Sequence, residues 1–158
     1  MSETLELADE TATARLGAAL AAGAKPGRAL HLCGELGAGK TTLVRGLLRA
    51  LGHAGRVKSP SYTLVELYTL SSLNLYHFDL YRFKDRSEWV SSGFREYFNL
   101  AAVCVVEWPE RAEGLLEAPD LQVRLAFQGE ARSATLAAHT SAAGRDWLAG
   151  ALRRWRSP

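Results

Sequence analysis

Gly34-Glu35-Leu36-Gly37-Ala38-Gly39-Lys40-Thr41 follows the spacing G-x-x-x-x-G-K-[ST] of a phosphate loop. Each fixed position has a physical reason. Glycines let the backbone close around phosphates without a Cβ in the way. Successive N–H groups, here from Leu36, Gly37, Ala38 and Gly39, then form an anion-binding nest. A helix starting near Lys40 adds the partial positive charge of its N-terminus. Lys40 is expected at the β- and γ-phosphates, facing solvent when no ligand is bound. Thr41 is expected to place its hydroxyl on Mg2+, with Thr42 as a further phosphate contact. The expected ligand is ATP with magnesium.

Outward from the loop, the flanks fit the motif. Arg28 to Cys33 reads as a short buried strand, and Lys40 to Leu51 as a helix with Leu43, Leu47, Leu48 and Leu51 along one side. Before the loop, Asp9-Glu10-Thr11 opens a helical pattern that Gly23 and Pro26-Gly27 end. After it, Tyr62 to Tyr68 and Asn74 to Leu80 read as strands of a hairpin, and Ser87 to Phe98 as an irregular helix containing Gly93. Ala102 to Val106 is an apolar run suited to a strand covered on both faces. Leu121 to Phe127 and Ala131 to Ala137 read as paired strands, and Ala142 to Trp155 as a closing helix. The expected fold is α/β, a three-layer P-loop NTPase-like arrangement with a mixed parallel/antiparallel sheet, in a single domain over residues 1–158.

A phosphate loop needs a carboxylate at the end of a neighbouring strand. Glu107 follows the apolar run Val103-Cys104-Val105-Val106 and stands where a Walker B acid would, with Glu in place of the usual Asp. Asp79 ends Leu75-Tyr76-His77-Phe78, where alternation sets His77 and Asp79 on one face. Lys40, Asp79 and Glu107 are thus the candidate catalytic residues, and Thr41 and Glu107 the candidate metal ligands. Which carboxylate orients the attacking water is left open at this point. His77 reads first as a hydrogen-bonded structural histidine. Arg82, three residues past Asp79, is the nearest candidate arginine finger, and continued strand alternation would turn it to the opposite face.

Composition narrows the class. With 158 residues, 47% hydrophobic and 23% charged, the chain is long enough for one globular core, and a net charge of +2 gives no strong pull towards nucleic acid. Cys33 and Cys104 sit in apolar runs and read as buried thiols. The acidic start MSETLELADE has no signal-peptide character, so a soluble cytoplasmic protein is expected. A small-molecule kinase needs a lid over the nucleotide, which the alternating strands of the second half do not offer. A GTPase needs an Asn-Lys-x-Asp segment, and Asn74 and Asn99 have no such context. A module that binds ATP without hydrolysing it is the remaining alternative.

Several further segments carry a specific resemblance. These are Asp9-Glu10-Thr11-Ala12-Thr13, Val57-Lys58-Ser59-Pro60-Ser61-Tyr62-Thr63-Leu64-Val65, Tyr76-His77-Phe78-Asp79-Leu80-Tyr81-Arg82 and Val106-Glu107-Trp108-Pro109-Glu110. With the phosphate loop, and in this order, they resemble the TsaE (formerly YjeE) family over roughly residues 7 to 128. The resemblance implies an ATPase needed for threonylcarbamoyladenosine in tRNA, working with a TsaB–TsaD pair in which TsaD performs the transfer. It implies that Ser59 to Thr63 form a nucleotide-sensing loop. It also implies that Asp79, Glu107 and Thr41 act at magnesium and the γ-phosphate, that Glu10 and Thr13 lie on the adenine side, and that Arg132 is a late nucleotide contact.

Overall fold

The computed structural model describes residues 1–60, 62–99 and 101–157. The chain runs β1 (Ser2–Leu7), α1 (Glu10–Leu20), β2 (Ala29–Cys33), α2 (Lys40–Ala50), β3 (Val65–Thr69), β4 (Asn74–Asp79), α3 (Arg86–Ser91), β5 (Ala102–Glu107), β6 (Leu121–Gln128), β7 (Ala131–Ala138) and α4 (Ala142–Arg156). All seven strands join one sheet in the order β1-β7-β6-β2-β5-β4-β3. The centre is parallel, with β2 between β6 and β5, and β5 beside β4. Both wings are antiparallel: β6–β7–β1 on one side and the β3–β4 hairpin on the other.

The two faces are covered differently. Helices α1, α2 and α4 lie on one face over a mainly aliphatic core that includes Leu16, Leu30, Leu32, Leu47 and Val105, with Trp147 packed among them. The indole of Trp147 is fully buried, and its Nε1 donates to the Leu20 carbonyl at 2.9 Å, which ties α4 to the end of α1. Burying each such side chain contributes about 1.5–3 kcal/mol. The other face, over β4 and β5, carries α3 and short 3-10 turns with an aromatic cluster of Phe78, Phe83, Trp89 and Phe94. Helices α1 and α2 cross very closely. A Cβ on Gly17 would collide with the Leu43 carbonyl oxygen, and one on Gly46 with that of Ala14. This contact sets the start of α1 beside the start of α2.

Several boundaries differ from the sequence reading. Residues 2–7 form an edge strand that the reading did not mark, with Leu5 and Leu7 turned into the core and β7 as partner. The strand expected from Tyr62 begins at Val65, because Leu64 sits in the left-handed region at φ 68°. The helix expected over 87–98 is two pieces: α3, capped by the Asp85 side chain, and a 3-10 turn Phe94–Tyr97. Gly93 at φ 67° separates them. Cys33 and Cys104 are buried free thiols.

Candidate functional site

The loop after β2 reaches α2 through Gly37 at φ 80° and Gly39 at φ 110°, conformations that an L side chain resists. Gly39 is the N-cap of α2 and provides no side-chain hydrogen bond to the helix start. Ala38 is buried, Thr41 and Thr42 are half-buried, and Leu36 projects outward.

Lys40 does not face solvent. It is 5% exposed, and its Nζ donates to the carbonyls of Gly34 and, at 3.1 Å, Glu35. The ammonium lies 4.1 Å from the centre of the Trp108 ring. The carbonyls of the loop and an aromatic face surround this cation. Burial lowers its pKa, while Glu107 and Asp79 nearby act in the opposite direction.

The two carboxylates meet at the carboxyl ends of adjacent strands. Asp79 and Glu107 face each other in the β4–β5 register, and Glu107 is opposite Leu32 of β2 on its other side. Glu107 therefore stands next to the strand that feeds the loop, and Asp79 one strand further out. Asp79 and Glu107 are 7% and 3% exposed. Asp79 accepts from the Ser59 hydroxyl at 3.2 Å and from the Tyr81 N–H at 3.0 Å. Glu107 Oε2 lies 2.6 Å from His77 Nε2. Two non-glycine residues among those described have positive φ, Leu64 and Trp108. Trp108 directly follows Glu107, and the Leu64 carbonyl accepts from the Asp79 N–H at 3.0 Å. Such backbone costs about 1–3 kcal/mol per residue, and here it flanks both acids.

Glu10 and Arg132 come to the loop from the same wing, Glu10 at the start of α1 just after β1 and Arg132 on β7 beside it. The Thr42 hydroxyl donates to Glu10 Oε1 at 3.3 Å, and Thr13 packs under Gly39. Arg132 reaches the Gly37 carbonyl at 3.4 Å while its guanidinium lies 4.3 Å above the Phe127 ring. Of the loop Ser59 to Thr63, Ser61 lies outside the described residues, and Ser59 touches Asp79. Arg82 is not on a strand, since β4 ends at Asp79; it lies in the turn that follows, exposed, with its guanidinium 5.1 Å from the Tyr62 ring centre. The alternation argument for its direction does not apply. Sequence reasoning missed Arg111, which lies 5.1 Å from the Tyr81 ring and 5.8 Å from the Trp108 ring; no local pattern announces it.

Thr41, Asp79 and Glu107 offer hard oxygen donors. Magnesium takes one or two carboxylates together with substrate phosphates, so this donor set fits it. Among the described residues, no three His, Cys, Asp or Glu side chains form a metal group without such phosphates. A separate cavity of about 1020 Å³ opens at the amino ends of β2 and β5, lined by residues that include Arg28, His31, Trp89 and Glu96. Burial pushes the His31 pKa down to about 4.

Residues 7–135 match the family model described as threonylcarbamoyl adenosine biosynthesis protein TsaE. The tRNA threonylcarbamoyladenosine biosynthesis protein TsaE of Haemophilus influenzae is 47% identical over 112 residues, covering 71% of each chain. Its namesake in Bacillus subtilis is 44% identical over 110 residues, covering 70% of this chain and 68% of that one. The crystal structure of Bacillus subtilis YdiB superposes with a TM-score of 0.82 at 30% identity, over 97% of this chain and 95% of the other. By the extent of that match and the identities of these relatives, the chain belongs to the TsaE family.

Proposed function

We propose that residues 1–158 act as one P-loop ATPase domain that binds ATP with magnesium, hydrolyses it, and so supports the TsaB–TsaD complex in threonylcarbamoyladenosine modification of tRNA. One observation carries the ATPase reading: a phosphate loop with an uncapped helix start lies beside two buried carboxylates that face each other at the ends of parallel strands. The family's own description supports the tRNA pathway. The cytoplasm, where tRNA is modified, is the proposed location; no helix among the described residues is long and apolar enough to cross a membrane.

In this reading the N–H groups of residues 36–39 and the start of α2 hold the phosphate oxygens. Lys40 leaves the Gly34 and Glu35 carbonyls for the β- and γ-phosphates. Thr41 and Glu107 would hold magnesium, which would supply positive charge to offset that of the phosphates. Asp79 or Glu107 orients the attacking water and accepts a hydrogen bond from it. Glu10 and Arg132 border the nucleotide. The loop Gly34 to Thr41 contains no arginine to serve as a finger at the γ-phosphate. In this reading turnover by the lone chain is slow, and TsaB–TsaD changes it.

The test is paired. Asp79→Asn and Glu107→Gln should each lower single-turnover hydrolysis by about 10²-fold or more, with a smaller effect on ATP affinity, because the loop and Lys40 remain. Parent-rate hydrolysis by Glu107→Gln would remove its assignment and leave a structural carboxylate. Fast turnover by the lone chain, unaltered by TsaB–TsaD, would remove the partner dependence. A protein that binds ATP but releases no phosphate in either setting is the non-hydrolysing module.

A further inference from the structure

Glu107 is anchored by one oxygen only. His77 lies opposite Val105 in the β4–β5 register, two residues before Glu107, and its ring reaches diagonally to Glu107 Oε2 at 2.6 Å. The histidine is fully buried and Glu107 is 3% exposed. The second carboxylate oxygen, Oε1, makes no hydrogen bond with the described residues. An ionised carboxylate can only accept, so Nε2 must be the donor. The other ring nitrogen, Nδ1, is buried without a partner among the described residues. A proton there would be an orphaned donor, so the ring is held as the Nε2–H tautomer.

This arrangement serves stability poorly. Burying a polar ring with one unsatisfied nitrogen beside a desolvated carboxylate costs free energy that an apolar side chain would avoid. Neighbouring positions of the same two strands are filled by Leu75, Phe78, Val103 and Val105, which pack without that cost. What the histidine does supply is a fixed direction: one carboxylate oxygen held from within the sheet, the other left to the nucleotide side. We infer that His77 is a positioning residue, which holds Glu107 by Oε2 so that Oε1 is set towards the phosphates. The inference rests on the ATPase reading above.

Four variants and one spectrum test it: His77→Phe, which keeps volume and removes the donor; His77→Gln, whose amide restores a donor at similar reach; Glu107→Gln; and the double variant His77→Phe with Glu107→Gln. His77→Phe should slow single-turnover ATP hydrolysis by about 10- to 100-fold, the usual cost of losing a group that orients a site ligand, while ADP affinity stays within about twofold. His77→Gln should recover most of that loss. In the Glu107→Gln background, His77→Phe should add no further loss. In the nucleotide-free parent, ¹⁵N NMR of the histidine side chains should show His77 as the Nε2–H tautomer. A folded His77→Phe at the parent rate, a His77→Gln as slow as His77→Phe, or an Nδ1–H tautomer would each overturn the inference. If His77→Phe does not fold, the glutamine variant and the tautomer decide it. A parent protein that releases no phosphate rejects instead the ATPase reading beneath it, parent-rate hydrolysis by Glu107→Gln rejects the role of Glu107 and this inference with it, and a slow Glu107→Gln beside a parent-rate His77→Phe rejects this inference alone.

Discussion

Among the described residues, three of the four α-helices begin with a side chain that closes the first turn, and the fourth does not. Asp9 accepts from the Ala12 N–H in α1, Asp85 from Glu88 in α3, and Ser141 from Gly144 in α4. At α2 the N-cap is Gly39, which has no side chain to offer, and the first residue, Lys40, turns back to carbonyls of the preceding loop. A side-chain cap typically contributes about 1 kcal/mol. That local gain is present wherever a helix start only needs to be stable, and is withheld at the start whose N–H groups are aimed at a ligand. The same pattern of local rules yielding near the site appears in Leu64 and Trp108, the left-handed residues beside the two acids.

The sharpest way to break this contrast is Lys40→Ala. Nucleotide affinity should fall by about 100-fold or more, since the charge that meets the phosphates is gone, while the thermal midpoint moves little. Calorimetric titration and a melt of the same sample check it; retained affinity would return α2 to the ordinary class of helix. Acid probes the strand beneath the loop. His31 has its pKa lowered to about 4 by burial, so it is neutral in the fold and takes up a proton more readily when unfolded. Its contribution is intact above about pH 6.5 and is lost as pH falls towards 4, a loss of about 3 kcal/mol. Denaturant titrations across that window should show the decline, and His31→Leu should flatten it. If the decline persists unchanged in that variant, it originates elsewhere.

Thr41→Ala has a smaller, more selective expected effect. It should weaken magnesium-dependent ATP binding by about tenfold, roughly 1.4 kcal/mol, and metal-free ADP binding less. Equal losses with and without magnesium would contradict the metal role. The smallest effect is expected at an ordinary cap. Ser141→Ala removes the Gly144 bond and a second bond to Asp120, and should cost about 1 kcal/mol of stability with ATP affinity unchanged. A cap variant that altered affinity as strongly as Lys40→Ala would erase the distinction between the two kinds of helix start.

Much of this was legible where the signal is local. The loop, its flanking strand and helix, and the apolar run ending at Glu107 follow from short-range pattern, and so does the shared face of His77 and Asp79. Residues 2–7 were not legible, because two inward leucines in six residues become a strand only through pairing with β7, more than a hundred residues away. The retreat of Lys40 was missed for a different reason. The partners of Lys40 are backbone carbonyls and the Trp108 ring, and only the fold brings the ring within 4.1 Å. Arg82 was misplaced because the strand was carried past Asp79, where β4 stops.

The Gly17–Gly46 seam bears on how this protein can vary. Where two helices are spaced by interlocking side chains, a longer or shorter residue can retune the gap. Here the spacers are backbone atoms, Leu43 and Ala14 carbonyls against bare glycine α-carbons, so only a Cβ placed on one of the two glycines would alter it. The distance between the Glu10 end of α1 and the Thr42 turn of α2 is thus a gauge cut into the main chain, kept for as long as residues 17 and 46 stay glycine.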